Sequence, residues 1–115
     1  MKCIIAGSRS IHQYVVLETA IDESGWHDEI TEVVSGCAKG VDALGEEYAY
    51  KNHKRLMQFP ADWDTYGKSA GIRRNNLMAN YGDALIVVWD GKSKGTQHMI
   101  EAARRKGLKV FVYEG

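Results

Sequence analysis

Short apolar segments alternate along the chain with longer segments whose apolar residues recur every three or four positions. The short segments end at glycine, serine or proline, and most are rich in β-branched residues, which is the pattern of strands. This pattern predicts five strands, over residues 2–6, 31–35, 55–59, 84–89 and 110–113. The fourth is the most apolar, and its Ile86-Val87-Val88 centre suits burial on both faces of a sheet.

The longer segments predict four helices, over residues 12–24, 40–52, 70–81 and 95–106. The third of these helices has a weaker apolar face than the others, formed by Leu77, Met78 and Tyr81. Residues 60–69, which begin at the only proline, are predicted as a long loop.

Alternation of strands and helices favours a parallel sheet with helices on both faces, in three layers. A chain of 115 residues fits a single domain of this α/β class, spanning residues 1–115. In such a fold every strand-to-helix turn emerges at the carboxyl edge of the sheet, where ligands bind near the point at which strand order reverses.

Composition and charge narrow the function classes. Apolar residues make up 44% of the chain, enough for a core, and no apolar stretch approaches the length of a membrane span. Fifteen basic and fifteen acidic residues balance, which argues against a dedicated nucleic-acid binder. The two cysteines and four histidines lack metal-ligand spacing, so we expect no metal site and no cofactor. The N-terminal segment does not resemble a signal peptide, and a reducing cytoplasm is the expected compartment.

Glycine, hydroxyl and basic residues cluster in three turns, at residues 7–10, 35–42 and 90–96, each between a predicted strand and a predicted helix. Glycines let backbone amides approach an anion closely, and the start of a helix favours negative charge. Ordinary turns also use these residue types, but three such turns at one edge favour phosphate binding. The predicted ligand-binding residues are Gly7, Ser8, Arg9, Gly36, Lys39, Gly40, Asp42, Arg74, Asn75, Gly91, Lys92, Ser93, Gly95 and Thr96.

Aromatic residues in the long loop supply candidates for stacking on a nucleotide base. Trp63 and Tyr66 have suitable rings, although anchoring of the loop to the body is an alternative role, especially for Trp63. Asp42 and Asp90 lie close to the predicted phosphate turns, where an acid can bind a ribose hydroxyl or orient a turn. Cys37 is a weak candidate nucleophile because no activating base accompanies it. The P-loop and dinucleotide-binding glycine patterns are both absent.

Five motifs together resemble the SLOG superfamily, and most closely its small YspA-type branch. They are Gly-Ser-Arg at 7–9, Ser-Gly-x-Ala-x-Gly-x-Asp at 35–42, Tyr-Gly-Lys-x-Ala-Gly at 66–71, Arg-Asn-x-x-Met at 74–78 and Asp-Gly-x-Ser-x-Gly-Thr at 90–96. The resemblance spans nearly the whole chain. It implies a Rossmann-like sheet in strand order 3-2-1-4-5 and a role in binding nucleotides or nucleotide-derived signals.

Two groups of relatives suggest alternative functions. LOG-type phosphoribohydrolases, which cleave the base from a nucleoside monophosphate, share the spacing of Arg74, Met78, Gly95 and Thr96, but their glutamate falls on Met99 here. A hydrolase would need another acid, and Arg74 and Asp90 are the candidate catalytic residues. DprA-type proteins share the first two motifs and bind single-stranded DNA, which the neutral charge of this chain disfavours.

We therefore expect a module that binds a nucleotide-derived small molecule, as a sensor or sequestering protein, with no nucleic-acid or membrane partner. Because both groups of relatives self-associate, a homodimer or higher homo-oligomer is also an expectation.

Overall fold

One parallel sheet of five strands organises the molecule. The computed structural model describes every residue from Met1 to Gly115. The strands are β1 (Lys2–Gly7), β2 (Glu32–Ser35), β3 (Arg55–Gln58), β4 (Ala84–Trp89) and β5 (Lys109–Glu114). They lie in the order β3-β2-β1-β4-β5, and every neighbouring pair is parallel. The predicted fold class and strand order are confirmed.

Four long helices connect the strands. They are α1 (Tyr14–Ser24), α2 (Val41–Lys51), α4 (Ala70–Tyr81) and α5 (Lys94–Arg105). The bounds of α4 and β4 are as predicted, and the other predicted bounds differ from the structure by one or two residues at an end. No helix combines the length and apolar character required to span a bilayer.

The prediction of a long loop over residues 60–69 was wrong. This stretch contains a short helix, α3 (Trp63–Tyr66), followed by a 3-10 turn (Gly67–Ser69). The carboxylate of Asp62 accepts a hydrogen bond from the backbone amide of Thr65 at 3.1 Å and so caps α3. A helix of four residues is too short to show an apolar period, which is why the pattern did not reveal it.

Two hydrophobic layers cover the faces of the sheet. Helices α1 and α2 pack on one face through residues such as Leu17, Ile21 and Tyr48, and α4 and α5 pack on the other through Met78 and Met99. The prediction that Leu77 belongs to the buried face of α4 was wrong, because its side chain is 56% exposed. The buried face of α4 is instead formed by Ala70, Asn75, Met78 and Ala79.

The position of β1 in the sheet brings the predicted turns together. Strand β1 lies between β2 and β4, so the turns after these three strands are neighbours at the carboxyl edge. Gly40 shows how closely the first two turns pack. Its φ is +76°, and a Cβ atom there would lie 2.4 Å from the carbonyl oxygen of Ser8, so only glycine fits. Strand order reverses between β1 and β4, and this reversal positions the site.

Candidate functional site

A cleft of about 410 Å³ lies at the carboxyl edge of the sheet, beside the reversal of strand order. Its volume is within the range of about 300–1,000 Å³ that small-molecule sites occupy. The end of β1, the turn after β2, helix α4 and the first turns of α5 form its walls, and exposed residues of the 63–69 segment lie at its mouth.

The structure brings about half of the predicted site residues to this cleft. Those that line it are Gly7, Arg9, Asp42, Trp63, Arg74, Asn75, Ser93, Gly95 and Thr96. Those that it does not bring to the lining are Ser8, Gly36, Lys39, Gly40, Tyr66, Asp90, Gly91 and Lys92. For Ser8, Asp90 and Lys92 the difference follows from hydrogen bonds that the turns form among themselves.

The charge of the cleft differs from the charge of the whole chain. Four cationic side chains line it, those of Arg9, Lys68, Arg74 and Lys94, whereas Asp42 is the only carboxylate in the lining. The chain as a whole has no net charge. The positive charge is therefore concentrated where a ligand would enter, and it favours an anion.

Arg74 connects three walls of the cleft. Its guanidinium donates from Nη1 to the carbonyl oxygen of Gly36 and from Nε to Oδ1 of Asn75, the latter at 3.0 Å. Asn75 donates in turn from Nδ2 to the carbonyl oxygen of Gly95 at 3.3 Å, and Nδ2 lies 3.2 Å from Nδ1 of His98. Helix α4 is thus tied to the turn after β2 and to the start of α5.

Asp42 is a buried acid in the wall of this positive cleft. It lies in the first turn of α2, is only 5% exposed, and accepts a hydrogen bond at Oδ2 from the amide of Ala38 at 3.2 Å. Burial raises the pKa of the Asp42 carboxyl to about 6, against the opposing effects of the Ala38 amide and the Arg74 charge. Gly36 makes room for both side chains, since a Cβ there would lie 2.8 Å from Asp42 Oδ2 and from Arg74 Nη1.

In the turn after β4, the side chain of Asp90 binds backbone amides of the same turn. Oδ1 of Asp90 accepts from the backbone amides of Lys92 at 2.8 Å and Ser93 at 3.0 Å, and these bonds hold the pKa of Asp90 below its usual value. The amide of Asp90 donates to Oγ of Ser8, which is why that hydroxyl is buried between two turns. Lys92 and Ser93 were predicted to contact a phosphate, but their backbone amides are already bonded to Asp90.

The start of α5 retains free donors. Oγ of Ser93 caps the helix by accepting from the amide of Thr96 at 3.3 Å, and the Thr96 hydroxyl donates to the same oxygen at 3.0 Å. The amides of Lys94 and Gly95 in the same turn have no acceptor within the protein. A Cβ at Gly95 would meet nothing within 4 Å, so this backbone is open to the cleft.

The two predicted stacking residues lie in different environments. Trp63 lines the cleft with half of its side chain exposed, and its Cη2 atom would lie 3.4 Å from a Cβ placed on Gly71, so it packs on α4 as well. Tyr66 lies outside the lining, where the guanidinium carbon of Arg73 is 4.3 Å from its ring centroid. Trp63 is thus the one with a face available to a ligand.

Sequence reasoning missed three polar residues of the lining, Lys68, Lys94 and His98. Lys94 was detectable in principle because it begins the helix that follows a predicted phosphate turn. His98 lies one helical turn after Lys94, at the i,i+4 spacing that places two side chains on one face. Lys68 belongs to the Tyr-Gly-Lys-x-Ala-Gly motif, but its position in the lining depends on the short helix and the 3-10 turn.

The weak candidate nucleophile, the residue at the LOG-type glutamate position and the acid nearest to it in sequence can now be placed. Cys37 is exposed with φ of +64°, and partial burial together with the neighbouring Glu46 raises the pKa of its thiol, the opposite of nucleophile activation. Met99 lines the cleft but offers only a thioether. Glu101 lines a separate depression with Trp89 and Arg104, away from the cleft.

Comparison with known proteins identifies a family and a relative that this chain resembles. Residues 1–66 match the family described as the YspA, cpYpsA-related SLOG family. The Gene 61 protein of Mycobacterium phage D29 is 32% identical over 85 residues, which cover 69% of this chain and 68% of the phage protein. No solved structure matches the chain. The family match includes the turns after β1 and β2, with Arg9 and Asp42.

Proposed function

The chain belongs to the YspA, cpYpsA-related SLOG family, and from that membership we propose that its cleft binds the phosphate of a nucleotide or nucleotide-derived small molecule. Membership favours a nucleotide-related binding or processing role. The proposal makes this specific: the protein holds such a ligand as a sensor or sequestering module.

The observation that carries the proposal is the local excess of positive charge. Four cationic side chains and one carboxylate line a single cleft in a protein with no net charge. Low-dielectric walls strengthen the attraction of such a cleft for an anion. Arginine and lysine form charge-assisted hydrogen bonds to phosphate that are about twice as strong as neutral ones.

The start of α5 supplies the backbone part of the phosphate site. The amides of Lys94 and Gly95 lack protein partners, and the twelve-residue helix behind them favours negative charge at this end. We assign the phosphate to these two amides and to the cationic side chains around them. This replaces the idea of three turns contributing equally, because the turn after β4 has bound its amides to Asp90.

The mouth of the cleft supplies a surface for the base. The half-exposed ring of Trp63 borders the cleft, and stacking between an aromatic side chain and a base contributes about 1–3 kcal/mol. A volume of about 410 Å³ is suited to a mononucleotide better than to a larger dinucleotide.

Binding is favoured over glycosidic cleavage because the expected acids are not in place. The position of the LOG-type glutamate is Met99, and the candidate acid Asp90 lies outside the lining and bonds its own turn. Arg74 has a positioning role through Gly36 and Asn75. The site therefore favours recognition of the ligand: a thioether stands at the position of the hydrolase glutamate, and the one acid of the lining is Asp42, on a different helix.

Titration calorimetry tests the proposal. We would titrate the wild-type protein with AMP, GMP, CMP, UMP, ADP-ribose, cyclic di-AMP and cyclic di-GMP at low salt, and expect at least one to bind more tightly than about 1 mM. Lys94→Ala should weaken that binding about tenfold, the equivalent of about 1.4 kcal/mol. Lys92→Ala is the matched control, because Lys92 lies two residues away but outside the cleft lining, and it should change affinity less than about twofold.

Two results would contradict this account. Absence of binding near 1 mM across the nucleotide panel would overturn the proposed function. Equal losses in Lys94→Ala and Lys92→Ala would mean that the ligand does not occupy the cleft.

A further inference from the structure

We infer that Asp42 selects the sugar of the ligand: its carboxylate accepts a hydrogen bond from a ribose hydroxyl, so the cleft takes ribonucleotides in preference to deoxyribonucleotides. The inference rests on the proposed function and narrows its ligand class. It starts from the presence of one buried acid in a cleft whose other charges are all positive.

Packing alone does not call for an acid at this position. The bond from the Ala38 amide to Oδ2 could equally be accepted by the amide oxygen of an asparagine. Arg74 does not form an ion pair with Asp42 within 4.0 Å, since it donates to Gly36 and Asn75. Because burial raises the pKa of Asp42, its charged form carries a desolvation cost in the folded protein. A buried negative charge beside a phosphate site destabilises the folded protein. We explain its presence by a contact between the carboxylate and the ligand.

The carboxylate has acceptor capacity that the protein leaves unused. A carboxylate accepts up to about four hydrogen bonds, and Asp42 has two backbone donors, the Ala38 amide at Oδ2 and the Gly7 amide. No fully enclosed side-chain oxygen in the molecule lacks a partner. Asp42 lines the cleft, so its remaining acceptor capacity lies where a ligand donor can reach it.

The arrangement of the cleft indicates which part of the ligand meets this oxygen. A phosphate oxygen has no proton to donate at neutral pH and is repelled by a carboxylate. The base faces the exposed ring of Trp63 at the mouth, and the phosphate faces the amides of Lys94 and Gly95. The sugar joins those two groups, so its hydroxyls are the donors left to face the buried wall of the cleft where Asp42 lies.

The size of the selectivity follows from the kind of bond. A ligand without this hydroxyl loses a hydrogen bond to a charged group and leaves the buried carboxylate without that donor. Together these effects weaken binding by about 10- to 100-fold. Wild-type protein should therefore bind a ribonucleotide about 10- to 100-fold more tightly than the analogue lacking the bonded hydroxyl.

The test compares the wild-type protein with Asp42→Asn by calorimetry. The ligands are AMP, GMP, CMP and UMP, their 2′-deoxy and 3′-deoxy counterparts, and inorganic phosphate. Asparagine keeps an oxygen for the Ala38 amide and then presents N–H donors to the cleft. We expect the preference for ribose to fall to less than about threefold in Asp42→Asn, with weaker binding of the ribonucleotide and unchanged or tighter binding of the deoxy analogue. Asp42→Ser is the second variant should Asp42→Asn fail to fold.

The outcomes separate this inference from the proposed function. If no nucleotide binds the wild-type protein, the proposed function fails and this inference fails with it. If nucleotides bind but the wild-type protein does not distinguish ribose from deoxyribose, only the role of Asp42 is overturned. If Asp42→Asn weakens ribonucleotides and deoxyribonucleotides equally, Asp42 acts by shaping the turn, and the inference is also overturned.

Discussion

Two turns at the same edge of the sheet have similar composition and different roles. The β2 turn (residues 36–40) and the β4 turn (residues 90–93) both contain glycine and lysine, and each has an aspartate in or close to it. Asp42, after the β2 turn, is buried in the cleft wall near Arg74, a residue of another helix. Asp90, in the β4 turn, is exposed and binds the amides of its own turn.

The difference shows that the residue types of a turn do not by themselves define a ligand site. In the β4 turn the carboxylate occupies the position that an anion would take, so the turn is complete without a ligand. In the β2 turn the carbonyl oxygen of Gly36 accepts from Arg74 of α4, and Asp42 accepts from the Ala38 amide while lining the cleft. What distinguishes the turns is which elements pack against them, a property of the sheet order.

Glycine replacement should separate the two turns most strongly. Gly40→Ala would place a Cβ 2.4 Å from the Ser8 carbonyl oxygen at φ of +76°, and we expect it to lower the free energy of unfolding by about 3 kcal/mol or more. Gly91→Ala is the matched control, because φ is +81° but nothing lies within 4 Å of its Cβ. It should cost about 1–2 kcal/mol. Urea denaturation measures both, and equal losses would show that the turns are packed alike.

The two aspartates should give opposite dependences of stability on pH. The pKa of Asp42 is raised from 3.8 to about 6 in the folded protein, whereas the pKa of Asp90 is lowered. The favourable contribution of protonated Asp42 is therefore complete below about pH 4 and is lost as pH rises through 6, by up to about 3 kcal/mol. Arg74 from α4 and Glu46 from α2 face this carboxyl and set the size of the loss.

Asparagine variants isolate these contributions. Asp42→Asn should gain stability relative to wild type as pH rises from 4 to 7. Asp90 contributes stability that is present above pH 3.8 and is lost as pH falls through its lower folded pKa, so Asp90→Asn should be less stable at neutral pH and approach wild type in acid. Thermal unfolding across this range measures both. Parallel profiles for wild type and Asp42→Asn would contradict the assignment.

Neighbouring arginines provide a smaller contrast. Arg74→Ala removes the bonds from the guanidinium to Gly36 and Asn75, and we expect it to lower the free energy of unfolding by about 2 kcal/mol while leaving the protein folded. Arg73→Ala removes an exposed side chain that contacts the Tyr66 ring and should cost less than about 1 kcal/mol. Arg74→Ala should also weaken nucleotide binding, and Arg73→Ala should not. If the two variants lose the same stability and bind nucleotides equally well, Arg74 is not part of the binding site.

Most of the fold could be predicted from local patterns. Strand β4 was predicted at its observed bounds because it is an unbroken apolar run, and helix α4 was predicted at its observed bounds although its apolar face is weak. The short helix α3 could not be predicted because four residues do not complete a period. Leu77 was wrongly predicted to be buried. On a weakly amphipathic helix, a single apolar residue does not indicate which face packs against the sheet.

The site was harder to predict because it depends on contacts between distant residues. Residues at the carboxyl edge were identified from their turns, and Arg74 and Asn75 were found partly through resemblance. The bonding of Asp90 to its own turn was a local possibility, since aspartate commonly binds amides two or three residues ahead. Burial of Asp42 against α4 and the position of Lys68 depend on tertiary packing, and no spacing in the chain encodes either.

An amide chemical-shift titration of the ¹⁵N-labelled protein with AMP shows whether the phosphate binds at the start of α5. We expect the largest shifts on the amides of Lys94 and Gly95, with small shifts at Lys92 and Ser93, whose amides stay bonded to Asp90. Largest shifts in the β4 turn itself, with Lys94 and Gly95 unchanged, would contradict this position of the phosphate.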